Sequence, residues 1–151
     1  MNRSKPLPFV AALYPNDSPS IIMLVYTYDY ESTYDPAMPI IEINIGAVGA
    51  SPMLMINALI DSGADGTIIP LHVLKQIGAR KYQKKWLRTI TGQRVQIDLY
   101  LIVVQLGGMQ PVRLAVAGDP QLNEAVVGRD LLNQLVVKLD GPAMAVEVFV
   151  S

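Results

Sequence analysis

Isoleucines at positions 41, 43 and 45 alternate with Glu42 and Asn44, the period of a strand with one buried face. The same beat returns at Val95, Ile97, Leu99 and Leu101, separated by Gln96, Asp98 and Tyr100, and predicts that those four side chains face the interior. It recurs at Val112, Leu114 and Val116, and at Val146, Val148 and Val150 behind an Asp140-Gly141 turn. Residues 21–30 (IIMLVYTYDY) are β-branched and aromatic and predict another strand, with Tyr26, Tyr28 and Tyr30 on one face. Residues 53–60 are almost wholly apolar, which predicts a strand buried on both faces with Met53 and Met55 filling the core. Helical spacing occurs twice, at Leu71, Leu74 and Ile77 before Gly78, and at Leu131, Leu132 and Leu135. Gly46 and Gly49, Gly107-Gly108 and Gly118-Asp119-Pro120 read as turns. Short strands at this spacing with two short helices predict an all-β barrel or sandwich rather than βαβ units.

The first 20 residues follow no period and carry four prolines, so they predict a mobile arm. Residues 1–38 are accordingly expected to form an N-terminal extension, an arm plus one strand, ahead of a folded domain at 39–151. Arg3 and Lys5 precede a short apolar run, but Pro6, Pro8 and Pro15 break it, and no signal peptide is expected. No stretch approaches the roughly 20 apolar residues of a membrane span. A soluble, cytoplasmic protein with no membrane partner is the expectation.

Composition narrows the chemistry. The 151 residues carry a net charge of −1, which gives no general pull toward nucleic acid or anionic lipid. Half of the chain is apolar and mean hydropathy is +0.32, pointing to surface covered by a partner. The absence of cysteine excludes disulfides, thiolate metal sites and cysteine nucleophiles, and a single histidine, His72, excludes histidine triads and multi-histidine metal sites. Seven basic residues and no acidic ones lie between Asp65 and Asp98. With only Tyr82 and Trp86 interleaved, they read as a solvated face, or as a basic rim favouring acidic substrates, and not as a nucleic-acid site.

One run stands out: Ala58-Leu59-Ile60-Asp61-Ser62-Gly63-Ala64-Asp65-Gly66-Thr67-Ile68-Ile69-Pro70. A carboxylate leaves the end of an apolar strand onto a tight turn, where glycine permits close backbone approach and serine can tie down its neighbours. By itself Asp-Ser-Gly is also an ordinary turn. Further on, Ala125-Val126-Val127-Gly128-Arg129-Asp130-Leu131-Leu132 reads as a strand passing through glycine into a helix whose first turn Asp130 favours.

In this order the two segments resemble those of the retropepsin-like aspartic proteases, where an apolar strand carries D-[S/T]-G-A and a later apolar-apolar-Gly-Arg-[Asn/Asp]-Leu-Leu opens a helix. Residues 39–46 are similar to the strand before the family's catalytic loop. The likeness runs from about residue 39 to 149, and Ile69-Pro70 with the following helix is closer to cellular and bacterial members than to viral ones. It implies an all-β, closed barrel with one or two short helices, dimeric, and an aspartic endopeptidase acting on extended peptides without metal or organic cofactor. Two carboxylates must share one proton for that chemistry, yet the motif occurs once, so the second comes from a homodimeric partner. Carried over by position, Asp61 is the catalytic carboxylate, Ser62 bonds across the two-fold and Gly63 presents backbone. Ala64 and Asp65 contact substrate, Arg129 pairs with Asp65, and Arg129 with Asp130 supports the loop. A partly buried Asp65–Arg129 pair would be worth about 3–5 kcal/mol. Ala64 offers no hydroxyl to the dyad, which predicts activity at less strongly acidic pH than in those relatives that carry threonine at this position. Residues 86–95 predict a flap hairpin tipped by Thr91, Gly92 and Gln93. The last strand, residues 143–150, is expected to be the dimer edge, with the strand at 21–30 extending or replacing part of it. The rival is a catalytically inactive dimerisation or peptide-binding module of the same fold, against which the intact Asp61-Ser62-Gly63 argues.

Overall fold

Ile41, Ile43 and Ile45 are wholly buried on β3 (Ile40–Ala47), as their alternation requires. The computed structural model describes residues 9–10, 23–88 and 91–150. The proline-rich arm lies outside the described residues, apart from the two-residue strand β1 (Phe9–Val10). The other elements are β2 (Leu24–Asp29), β4 (Leu54–Ile60), β5 (Ile68–Pro70), α1 (Leu71–Gln76), β6 (Arg80–Arg88) and β7 (Arg94–Gln105). They are followed by β8 (Val112–Asp119), β9 (Ala125–Val127), α2 (Arg129–Leu132), β10 (Val136–Asp140) and β11 (Ala145–Val150). Among the described residues no helix is long and apolar enough to cross a membrane.

Six strands close a barrel in the order β3-β4-β9-β5-β8-β7, with β7 pairing back onto β3, while β6 hangs from β7 outside the closure. A second sheet, β1-β2-β11-β10, lies against it and sends Tyr28, Val146 and Val148 into the same core as Ile43, Ile69, Ile102 and Leu131. Burial pushes the Tyr28 hydroxyl above the ordinary tyrosine range, with the Glu42 carboxylate adding to it.

Four expectations are corrected here. The strand at 53–60 is not buried on both faces: Met53 and Met55 are 85% and 53% exposed, and Ala58 is the only fully buried residue of β4. β4 has an ordinary inward face (Leu54, Ile56, Ala58, Ile60), but methionines on its outward face hide the alternation. On β7 the deep positions are Tyr100, Ile102 and Val104, so the inward parity is even, with Leu99 marginal and Val95 exposed. Only the second half of β7 belongs to the barrel, and the phenol of Tyr100 disguised its inward side. Gly118 lies inside β8 opposite Ile69, and a Cβ there would stand 2.6 Å from the Tyr100 ring; the turn begins at Asp119, whose carboxylate accepts the N–H groups of Gln121 and Leu122. Finally, β11 is not an open edge. β10 covers one side and β2 the other along its whole length, from Ala145 opposite Asp29 to Val150 opposite Leu24.

β2 is also pinned to the barrel. Tyr26 lays its ring over Gly107, which has φ +50°, and its hydroxyl accepts the Gly108 N–H at 2.7 Å. A methyl group at 107 would meet both a left-handed backbone and the Tyr26 ring. Gly107→Ala is therefore expected to cost about 2 kcal/mol in urea unfolding. Unchanged stability would mean β2 is not seated as described.

Candidate active site

The segment after β4 is built from strand pairing outward. β9 runs parallel to β4, Ile60 opposite Val127, and the Asp61 N–H donates to the Val127 carbonyl at 3.1 Å. This brings the Gly128-Arg129-Asp130 turn beside Asp61-Ser62-Gly63. The turn folds on itself: the Gly63 N–H donates to Asp61 Oδ1 at 2.8 Å and the Ala64 N–H to the Asp61 carbonyl at 3.2 Å. Asp61, Ser62 and Gly63 are all exposed, so the carboxylate is held by one oxygen and presented outward.

Arg129 ties the turn down from the other side. Its backbone N–H donates to the Ala64 carbonyl, its Nη1 donates to the carbonyls of Ser62 and Gly63 at 3.1 and 3.0 Å, and its Nη2 pairs with the Asp65 carboxylate. The expected Asp65–Arg129 pair therefore forms, but it is not partly buried: the side chains are 85% and 45% exposed. Its worth to stability falls to about 0–1 kcal/mol, and the bonds to Ser62 and Gly63 are its structural consequence.

Asp130 does more than favour the first turn of α2. Its Oδ2 accepts the Thr67 N–H at 2.9 Å, and its Oδ1 accepts the Thr67 hydroxyl at 2.7 Å and the Leu131 N–H at 2.9 Å. Thr67 Oγ1 in turn accepts the Gly128 N–H at 3.2 Å. Thr67 is the buried polar residue at the centre of this network, a role the local sequence pattern does not single out. The available signal was a hydroxyl set between glycine and isoleucines, which needs a partner when buried; a partner 63 residues away is invisible to local pattern. Gly128 and Gly66 meet backbone to backbone, and a Cβ on Gly128 would lie 2.6 Å from the Gly66 carbonyl.

Thr91, Gly92 and Gln93 stand on a separate element, the end of the β6–β7 hairpin. Among the described residues the last rung is Arg88 opposite Arg94, and Gly92 takes φ +86° in the turn. Every residue of β6 is exposed, as are 94–96 on β7. The Lys81 ammonium lies 2.6 Å from Asp98 and, through that hydrogen bond, holds the Asp98 carboxyl below its ordinary range. A cleft of about 290 Å³ is lined by residues including Glu31, Asn57, Val73 and Glu124; Asp61 is not in its wall.

Solved structures share this architecture. A retropepsin-like aspartic protease from Rickettsia conorii superposes with a TM-score of 0.59 over 91% of this chain and 97% of its own, at 12% identity. EIAV protease, solved with the inhibitor HBY-793, gives a TM-score of 0.51 over 64% of this chain and 86% of its own, at 19% identity. At such identities the likeness concerns the fold. No curated protein sequence matches the chain. Residues 36–140, from the loop before β3 to the end of β10, match the family profile described as retroviral aspartyl protease, and on that match, carried by a retropepsin-like barrel, the chain belongs to the retroviral aspartyl protease family.

Proposed function

We propose that this protein is an aspartic endopeptidase that works as a homodimer, with residues 39–151 as the protease unit and 1–38 as an extension. One observation carries the reading. Asp61 offers an exposed carboxylate at the end of a rigid strand, and the carboxylates beside it are taken, Asp65 by Arg129 and Asp130 by Thr67. The second acid of a dyad then has to come from another copy, its Asp61 meeting this one across a two-fold axis. The covered β11 moves the contact surface elsewhere. Exposed Val136 and Leu139 on β10, an edge strand of the second sheet among the described residues, with Met144 in the following turn, supply apolar area for it.

In the dimer the two carboxyl groups share one proton. The ionised one takes a proton from water as the water oxygen attacks the scissile carbonyl carbon, and the protonated one gives its proton to the carbonyl oxygen. Collapse of the tetrahedral species breaks the C–N bond, with a proton returned to the leaving amine. Ser62 bonds across the axis and Gly63 offers its backbone. Ala64 and Asp65 contact an extended peptide, Arg129 and Asp130 hold the loop, and Thr91-Gly92-Gln93 closes over the substrate.

The test is hydrolysis of a peptide library across enzyme concentration. Specific activity is expected to fall on dilution as the dimer dissociates. Peptide binding without any cleavage would favour the inactive-module reading.

A further inference from the structure

The inward parity of β7 has a consequence for the hairpin. Even-numbered residues from Tyr100 to Val104 face the barrel interior, so Arg94, Gln96 and Asp98 continue that face into the hairpin. Their partners across the ladder, Arg88, Trp86 and Lys84, share it. The one irregularity in the pairing lies between Lys81 and Gln83, before this stretch, and leaves the parity intact. The face continuous with the interior is thus the basic and aromatic one.

Its charge is unbalanced toward the tip. Asp98 is engaged by Lys81 and lies opposite Lys84. Among the described residues Arg88 and Arg94 stand directly opposite each other on the last rung, and neither has a carboxylate within ion-pairing distance. Like charges directly opposite on a ladder oppose the pairing of the strands. An anion bridging two guanidinium groups reverses that effect, and guanidinium is suited to carboxylate.

We propose that the Arg88–Arg94 rung is a specificity element that selects extended peptides carrying aspartate or glutamate where the hairpin crosses the substrate, with Trp86 packed alongside. This rests on the endopeptidase reading for the location of the substrate, and names its class. A peptide is favoured over nucleic acid because the guanidinium groups on this face belong to a single rung with one tryptophan, on a chain of net charge −1.

Two measurements test it. In the first, wild type, Arg88→Glu/Arg94→Glu and Arg88→Lys/Arg94→Lys cleave matched synthetic peptides whose flanks are acidic, neutral or basic. Wild type is expected to prefer acidic over basic flanks in kcat/KM by about tenfold, shrinking with added salt, with the preference reversed by the glutamates and kept in part by the lysines. Cleavage with the same flank preference in all three proteins overturns the inference and leaves the protease reading standing. In the second, Trp86, the only tryptophan, reports binding of the same peptides to Asp61→Asn by its fluorescence, with no cleavage needed. Tighter binding of acidic peptides that is lost in the glutamate variant supports the inference even if no peptide is ever cut, an outcome that would end the protease reading alone. Equal binding of acidic and basic peptides, or tighter binding of a single-stranded oligonucleotide than of any peptide, overturns it.

Discussion

Asp61→Asn is expected to lower peptide hydrolysis by about a thousandfold or more while leaving the fold intact. Asparagine has nearly the same shape and its amide oxygen can still accept the Gly63 N–H, so the turn after β4 should persist. Because the residue is exposed, the change in unfolding free energy should stay within about 0.5 kcal/mol. The chemistry has no such tolerance. An amide can neither take a proton from water at these pH values nor share one with a facing carboxylate, so both halves of the dyad lose their function together. The check is kcat/KM alongside a urea unfolding curve on the same preparation. Full activity in a folded variant would remove Asp61 from the mechanism; lost activity with lost structure would require the comparison to be repeated with Asp61→Glu, which keeps the acid but displaces it.

Asp130→Ala is expected to have the largest effect on stability, about 4 kcal/mol, lowering Tm by roughly 8–16 °C. The carboxylate accepts from the Thr67 N–H, the Thr67 hydroxyl and the Leu131 N–H; alanine strands both Thr67 donors, while the Leu131 N–H keeps the Gly128 carbonyl at 3.2 Å. Thr67 is almost wholly buried, so water cannot readily replace the lost acceptor. The damage should also reach the turn that carries Asp61, since the Thr67 hydroxyl holds Gly128, and Gly128 rests on the backbone of Gly66. Asp130→Asn, which keeps one acceptor, should recover part of the loss. A small change in Tm for the alanine variant, measured by calorimetry, would show that the network is not what locks the two segments together.

Much of this architecture is legible in the amino-acid order where inward and outward positions differ in polarity. Ile41, Ile43 and Ile45 against Glu42 and Asn44 specify β3, and Gly78 ends α1 where its positive φ is needed. The legibility fails where polarity does not track direction. Methionines on the outward side of β4 look like core, and the inward phenol of Tyr100 looks like surface. It fails again where the determinant is a distant contact. Gly118 is glycine because the Tyr100 ring needs the space, and Thr67 is threonine because Asp130 meets it from another segment. The Asp61 and Arg129 segments stood out as motifs, and their adjacency follows from the parallel pairing of β4 with β9. What local pattern could not supply was exposure: the Asp65–Arg129 pair formed as expected but in solvent, and β11 proved to be covered by β2.

The most direct measurement mixes wild-type protein with Asp61→Asn at constant total concentration, after allowing subunits to exchange. If each active unit needs one carboxylate from each of two copies, activity follows the square of the wild-type fraction, about a quarter of the pure wild-type value in an equimolar mixture. Activity that instead falls in simple proportion, to about half, would show that each chain hydrolyses peptides by itself and that no shared dyad exists.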